Sequence, residues 1–190
     1  MDQLISLDQE LFLLLNRVHS SWLDPIVFWA TKTVIWIPFY AFLIYLLSRE
    51  YKVQVVVVFL LVAGVSIAIT DRTTSGFMKP HFERLRPSHE PALAGKVHIV
   101  NGYTGGRYGF ASSHAANSFG IAMLIWLSLR KRYSGIGWIF GWAGLFSYTR
   151  IYLGVHYPGD ILAGALIGLA AGGITYLGFH FAASRMQHKI

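Results

Sequence analysis

The chain has 190 residues, of which 54% are hydrophobic and 13% are charged, and its formal net charge is +7. This balance is far from that of a soluble domain and predicts a single membrane-embedded domain over residues 1–190. The cations form no continuous basic stripe, so nucleic acid is excluded as a partner and membrane lipid is favoured. The chain contains no cysteine, which excludes disulfides and thiolate metal sites.

Five apolar segments approach the roughly 20 residues that a helix needs to cross a hydrocarbon core. They are Pro25–Leu47, Val53–Thr70, Phe110–Leu129, Ile136–Tyr148 with its flanks, and Ile161–Phe181. Before them, Leu4–Val18 has an apolar face but is too polar to span, which predicts a helix at the membrane interface. The predicted fold is an all-α integral membrane bundle of about five transmembrane helices, or six if Leu4–Val18 inserts. No cleaved leader is expected before these segments.

Tryptophan and lysine side chains mark the first predicted span. Trp22, Trp29 and Trp36 are spaced seven residues apart, and we expect them on one side of one helix, in contact with lipid or in packing. Lys32 lies about two turns inside this predicted helix. A lysine there can reach the headgroups, so we assign it no function.

Residues 71–109 form the one large polar loop that the sequence predicts. Counting the crossings places this loop, the start of the third segment and the 149–160 link on the same face of the membrane. The short basic turn Arg130–Arg132 has the most influence on orientation and favours the cytoplasm for the opposite face. We therefore expect a bacterial inner-membrane protein whose polar face looks towards the periplasm or the exterior.

Three polar clusters fall on that shared face: Lys79–Pro87, Ala111–His114 and Arg150–Asp160. A phosphate monoester carries about two negative charges near neutral pH, so its site needs several cations and hydrogen-bond donors. Lys79, Arg86 and Arg150 supply the cations. Ser112 and Ser113 stand at the start of a helix, where free N–H groups and the helix dipole attract anions. The clusters together predict a phosphate site.

Two histidines in these clusters suit phosphoryl transfer, which needs a nucleophile and a proton for the leaving alkoxide. They are His114 and His156. Asp160 follows His156 by four positions, which is one helical turn if Pro158 is the first helical residue. A carboxylate at that distance can keep one imidazole nitrogen protonated so that the other attacks.

These residues resemble the membrane lipid phosphatase branch of the type 2 phosphatidic acid phosphatase superfamily. The superfamily also includes the vanadium haloperoxidases. Its motifs read Lys-x6-Arg-Pro, Pro-Ser-Gly-His and Ser-Arg-x5-His-x3-Asp. The first is matched by Lys79, Arg86 and Pro87, and the third by Arg150, His156 and Asp160, at the family spacing. The resemblance covers about residues 71–182. Ala111, Ser113 and Thr149 depart from the motifs, and Ser113 matters most because the family's glycine permits close backbone approach to phosphate.

The resemblance implies a role for each motif residue. His156 is the expected nucleophile, forming a phosphohistidine, with Asp160 as its orienting partner and His114 as the general acid. Phosphate binding is implied for Lys79, Arg86, Ser112, Ser113 and Arg150. No metal and no cofactor are implied. The implied reaction removes phosphate from a membrane lipid phosphate or diphosphate, with undecaprenyl diphosphate, lipid A 1-phosphate, phosphatidylglycerophosphate and phosphatidic acid as open candidates.

Two other functions use the same residues. A haloperoxidase would hold vanadate in the phosphate position, but membrane embedding disfavours it. A non-catalytic transporter or binding protein for phospholipid or phosphate would need only the cations, so the presence of both histidines and the aspartate disfavours it. The sequence leaves the oligomeric state open.

The remaining polar residues of this face receive simpler interpretations. Arg84, Lys96 and Arg107 are expected to anchor lipid headgroups. Three loop histidines without a partner pattern are expected to be solvated: His81, His89 and His98. Three further residues are candidates for contacting the phosphate-binding side chains without touching phosphate: Asp71, Arg72 and Glu83.

Overall fold

The computed structural model describes residues 2–187, and every regular element in that range is a helix. The α-helices are α1 Asp2–Asn16, α2 Leu23–Ala30, α3 Ile37–Glu50, α4 Val53–Asp71, α5 Lys79–Phe82, α6 Ser113–Leu129, α7 Trp138–Tyr152 and α8 Pro158–Gln187. A π-helix, Arg72–Met78, joins α4 to α5. Short 3-10 helices cover Thr33–Trp36, Pro87–His89, Pro91–Leu93 and Ser134–Gly137. The predicted all-α fold is confirmed.

Three helical runs are long and apolar enough to cross a membrane: Thr33–Glu50, Val53–Phe82 and Pro158–Met186. The other two predicted spans form α6, with 17 residues, and α7, with 15. Large apolar side chains cover the outside of α8, where Leu162, Leu166 and Leu177 are each about two-thirds exposed. Such an apolar surface on a helix long enough to span is typical of contact with lipid. The chain is an integral membrane protein, and its count of five spans stays a prediction.

Helices α6 and α8 form the closest helix pair through a row of glycines. Gly164, Gly168 and Gly172 of α8 lie against the backbone of α6, and a Cβ added at any of them would overlap an α6 carbonyl oxygen. Small residues four apart allow helices in lipid to approach this closely. The contact places the start of α6 beside the start of α8.

A methyl group on this row is expected to destabilise the fold. Gly168→Ala pushes a Cβ into α6, and overpacking of a fitted contact costs about 1–3 kcal/mol. We expect a lower midpoint of thermal unfolding in detergent, measured by circular dichroism. Gly178→Ala on the same helix is the control, because a Cβ there meets no atom within 4 Å. Equal midpoints for the two variants would contradict the packing.

The prediction that Pro25–Leu47 forms one continuous helix is wrong. Lys32 has extended backbone angles and separates α2 from the 3-10 helix, while Pro38 lies in the first turn of α3, where proline is favoured. Trp36 therefore shares no helix with Trp22 and Trp29. Its ring packs against the Trp142 ring of α7 at 5.6 Å instead. The structure also places Lys32 at the break rather than two turns inside a span.

The loop predicted from residue 71 begins only after Phe82. Polar composition suggested an end near Thr70, but the hydroxyls of Thr70 and Thr74 bond carbonyl oxygens of the preceding turn, so the helix itself satisfies them. The helical run ends where Glu83 takes a left-handed conformation, with φ 46°. As a result Lys79 is held on a helix rather than on a loop.

Helix α1 confirms the predicted N-terminal helix and packs against α7 and α8. Phe12 is fully buried, with its ring 5.5 Å from that of Tyr157. The Asn16 amide donates to the carbonyl oxygens of Ile151 and Tyr152, both at 3.0 Å. These contacts fix α1 beside the link between α7 and α8. Its location at a membrane interface stays a prediction.

Candidate active site

The eight predicted site residues come together at one end of the bundle. Lys79 lies on α5 and Arg86 follows that helix, while Ser112, Ser113 and His114 begin α6. Arg150 lies in the last turn of α7, His156 in the link, and Asp160 in the first turn of α8. The Ser112 N–H donates to the Asp160 carbonyl oxygen at 3.0 Å, which joins the second cluster to the third.

The His156 and Asp160 side chains form a buried pair at the centre of this cluster. His156 Nδ1 lies 3.2 Å from Asp160 Oδ2, and the two residues are 2% and 0% exposed. The same Oδ2 accepts the Tyr157 N–H at 3.0 Å. Helix α8 begins at Pro158, as predicted, and so sets the one-turn separation. His156 Nε2 has no hydrogen-bond partner among residues 2–187 and is free to react.

Arg84 holds the other oxygen of Asp160, so its interpretation as a headgroup anchor is wrong. Its Nη1 donates to Asp160 Oδ1 at 2.9 Å, and its Nη2 donates to Asp8 Oδ2 at 2.7 Å. Asp8, on α1, also accepts the Gly159 N–H at 2.8 Å through Oδ1. An ion-paired bridge therefore links α1 to the start of α8. The only sign of this bridge in the sequence was the position of Arg84, a cation two residues before Arg86.

Lys79 is held against the start of α6 by hydroxyl groups. Its Nζ lies 2.9 Å from Ser113 Oγ and 3.0 Å from Ser75 Oγ. Ser113 Oγ also lies 2.8 Å from the Thr74 hydroxyl, so the π-helix and α6 meet at this serine. Ser112 caps α6 and is fully buried, with its amide already donated to Asp160. The Ser112 hydroxyl oxygen accepts the Ala115 N–H at 3.5 Å.

Arg86 and Arg150 are both buried, and each is oriented by neutral groups. Arg86 Nε donates to the Tyr108 carbonyl oxygen at 3.0 Å. Arg150 Nη1 donates to Thr31 Oγ1 at 2.8 Å and Nη2 to the Tyr103 hydroxyl at 2.9 Å. Arg150 Nε is buried and has no partner in the described part of the chain. Nη1 and Nη2 each carry a second N–H that these two bonds leave unused.

The loop before α6 closes over the site through two glycines. Gly105 has φ +67°, and a Cβ there would lie 2.5 Å from Arg86 Nη1. A Cβ on Gly109 would lie 3.0 Å from Asp160 Oδ2 and 3.5 Å from His156 Nδ1. Only glycine lets the backbone approach the pair so closely. Glycine at these two positions is therefore required by the close approach of the loop backbone.

His114 stands at the junction of two cavities. Its ring stacks on Phe146, with centroids 5.6 Å apart. One cavity, of about 430 Å³, is mainly apolar and lies between α3, α4, α6 and α7. The other, of about 220 Å³, is bounded by α2, the loop at Tyr103 and Arg150. The site therefore adjoins both a lipid-like space and a smaller, more polar one.

Burial and charge lower the pKa of His156 well below its usual 6.5. Burial is the larger cause, and the positive charges of Arg86, Arg150 and Lys79 add to it. The ring is therefore neutral near neutral pH. Because the unfolded chain binds this proton more readily, the contribution of His156 to stability is full above pH 6.5 and is lost as pH falls towards the folded pKa.

The neutral state of His156 is expected to persist in mild acid. In the free enzyme in detergent, ¹³C NMR of labelled histidine should show the ring neutral at about pH 5.5, where an ordinary histidine is mostly protonated. The His156→Ala spectrum assigns the signal. Titration of His156 near 6.5 would contradict the buried, cation-rich setting.

Two of the three loop histidines are solvated, as the sequence predicted, and the third is not. His81 and His89 are exposed, as predicted. The interpretation of His98 as solvated is wrong, because its Nε2 lies 2.9 Å from Asp24 Oδ1 and its ring stacks on His19 at 3.7 Å. Within residues 2–187, no three His, Asp or Glu side chains come together in a way that would hold a metal ion.

The chain belongs to the PAP2 superfamily, whose family model matches residues 56–183. It is 41% identical over 185 residues to a lipid A 4'-phosphatase of Bacteroides thetaiotaomicron, covering 97% of this chain and 82% of that protein. A lipid A 4'-phosphatase of Porphyromonas gingivalis is 35% identical over 190 residues, with coverages of 97% and 78%. The chain is thus a bacterial membrane lipid phosphatase of the PAP2 type.

Two solved structures share the fold. The crystal structure of Aquifex aeolicus LpxE has a TM-score of 0.62 and 26% identity, covering 89% of this chain and 94% of that one. A transmembrane PAP2 type phosphatidylglycerolphosphate phosphatase from Bacillus subtilis has a TM-score of 0.66 and 21% identity, covering 96% and 88%. The transporter alternative is not favoured by these comparisons.

Proposed function

We propose that this enzyme removes the 4'-phosphate of lipid A through a phosphohistidine formed on His156. The choice of lipid rests on two relatives that align over 97% of the chain and are named for the 4' position. The sequence alone favoured none of the four candidate lipids. Among those candidates, lipid A was represented by its 1-phosphate and not by its 4'-phosphate. The observation that carries the chemistry is the buried His156–Asp160 pair, whose Nε2 is free among three cations.

The cations and hydroxyls around His156 bind the phosphate. Arg150 offers the second N–H of Nη1 and of Nη2, and Arg86 offers the rest of its guanidinium group, since only its Nε is bonded within the described chain. Lys79 and Ser113 add an ammonium and a hydroxyl, which lie 2.9 Å apart. Together with the start of α6, these donors neutralise the dianion and the charge that gathers on its oxygens during transfer.

Transfer occurs in two displacements. His156 Nε2 attacks phosphorus, the bond from phosphorus to the sugar oxygen breaks, and His114 gives that oxygen a proton, which releases the alcohol. Asp160 keeps the proton on Nδ1 and stabilises the charge on the ring. Water then attacks phosphorus as His114 takes its proton. The bond to Nε2 breaks, and inorganic phosphate leaves with the enzyme restored.

Arg84 acts as a positioning residue in this scheme, because it fixes Asp160 Oδ1 while Oδ2 faces His156. Arg84→Gln is expected to lower kcat by about 100-fold with little change in KM, since small misplacement of a reacting group has effects of that order. Arg84→Lys should restore part of the loss. The control is Arg107→Gln, an exposed cation of the same loop. Unchanged kcat in Arg84→Gln, or a loss that appears only as a rise in KM, would contradict the role.

The active site faces the periplasm in this proposal. The support is the short basic turn Arg130–Arg132, which lies at the opposite end of α6 from His114 and favours the cytoplasm. Because the chain has no cysteine, single variants report orientation directly. A membrane-impermeant maleimide should label Lys96→Cys in spheroplasts and leave Lys131→Cys unlabelled. The reverse pattern would place the site in the cytoplasm.

Position-resolved hydrolysis tests the proposed substrate. Purified enzyme in detergent with EDTA receives lipid A carrying phosphate only at 4' or only at 1, and phosphatidic acid and undecaprenyl diphosphate in parallel. We expect release from the 4' form at least about tenfold faster than from the others, a preference equivalent to roughly 1.4 kcal/mol. Faster release from any of the other three would contradict the assignment.

A further inference from the structure

We infer that the 220 Å³ cavity beside His114 and Arg150 binds the phosphate-bearing glucosamine ring of the substrate, an inference that rests on the proposed function. We call this cavity the ring pocket. Its lining residues are Phe28, Thr31, Lys32, Thr33, Tyr103, His114 and Arg150. Most of them lie outside the three motifs, on α2, the break that follows it, and the loop before α6.

The chemistry of the leaving group decides where the sugar must lie. His114 gives its proton to the oxygen that joins the sugar to phosphorus, so the sugar has to be on the His114 side of the phosphate. The ring pocket shares His114 and Arg150 with the phosphate site. A sugar ring in this pocket therefore places its 4' oxygen between phosphorus and the His114 imidazole.

The size and lining of the ring pocket suit one sugar ring. Its volume is below the roughly 300–1,000 Å³ of drug-sized sites, so a single ring fits better than the whole disaccharide. The Phe28 and Tyr103 rings are 6.5 Å apart at 80°, which offers an apolar face to the C–H side of a sugar. The threonine hydroxyls and the Lys32 ammonium offer polar contacts to its substituents.

Lys32 is therefore assigned a function that the sequence interpretation denied it. Its Nζ lies 4.8 Å from the centre of the Phe28 ring and 5.7 Å from that of Tyr103, so it points across the pocket. An ammonium in that position can donate to a ring hydroxyl or to an acyl carbonyl. The helix break at Lys32 is what turns the side chain into the pocket.

The ring pocket adjoins the apolar cavity. Thr33 and His114 line both spaces, and the larger one runs between helices past Leu43, Phe59 and Ile125. A sugar that carries its own acyl chains can occupy both at once, with the ring beside the phosphate site and the chains in the bundle. Phosphatidic acid would fill the apolar cavity and leave the ring pocket empty.

The test separates binding of the ring from binding of phosphate. For Phe28→Leu and Lys32→Met, we expect KM for lipid A 4'-phosphate to rise about tenfold, equivalent to roughly 1.4 kcal/mol, with kcat nearly unchanged. Vanadate needs only the phosphate site, so its inhibition constant should stay at the parent value in both variants. Trp22→Leu is the control, since Trp22 is an exposed aromatic residue just before α2 and lines neither cavity.

Each other outcome overturns a distinct claim. Turnover of lipid A 4'-phosphate by the parent with unchanged KM in both variants would overturn the ring pocket alone. A parallel shift of KM and of the vanadate constant would show that the substitutions disturb the phosphate site. That result would also overturn the ring pocket. No turnover of lipid A 4'-phosphate by the folded parent would overturn the proposed function itself.

Discussion

Replacing His156 with alanine is expected to lower kcat for phosphate release by at least about 10⁴-fold, because the covalent route disappears with its nucleophile. No nearby group can substitute. The buried partner, Asp160, is already engaged by Arg84 and by the Tyr157 N–H. Phosphate release from lipid A by purified enzyme in detergent is the measurement.

A matched histidine variant separates this effect from damage to the fold. His81→Ala removes an exposed imidazole from the same end of the bundle and should keep parent activity. Both variants should elute from gel filtration like the parent. Activity in folded His156→Ala within tenfold of the parent would rule out a phosphohistidine at this position.

Arg150→Lys is expected to lower kcat/KM by about 100- to 1,000-fold, the usual effect of losing one donor to transition-state charge. The guanidinium group uses one N–H each of Nη1 and Nη2 to reach Thr31 and Tyr103 and keeps the other N–H of each for the anion. A lysine carries one flexible point charge and cannot keep both hydroxyl contacts while it binds the anion. Inhibition by vanadate should weaken along with catalysis, since both need the same donor.

The control for this variant is Arg107→Lys, which makes the same change at an exposed position over the Tyr108 ring. It should retain parent kcat/KM and parent sensitivity to vanadate. If Arg150→Lys behaved in the same way, the fixed guanidinium geometry would have no part in binding phosphate.

The sequence predicted the helical fold and the eight clustered residues because both depend on short-range patterns. Apolar runs mark helices in lipid, and the fixed spacing from His156 to Asp160 is one turn of α8. The end of the second helix was predicted wrongly, since Thr70 and Thr74 look like loop residues until their hydroxyls bond the helix backbone.

The contacts that support the site were not predictable in the same way. Arg84 meets Asp8 and Asp160 at separations of 76 residues in either direction, and Arg150 meets Thr31 across 119. A short-range periodic pattern in the sequence cannot indicate contacts between residues so far apart along the chain. Asp8 and Thr31 also precede residue 56, where the family match begins. The N-terminal helices thus supply partners to a catalytic cluster that the motifs alone describe incompletely.

The most direct test of a histidine phosphatase is to find the phosphate on the enzyme. Parent enzyme and His156→Ala are mixed with lipid A bearing ³²P at 4', quenched in alkali and digested for mass spectrometry. We predict acid-labile phosphate on the peptide containing His156 in the parent, and none on the same peptide of His156→Ala. Phosphate on another residue, or none during steady turnover, would contradict the mechanism.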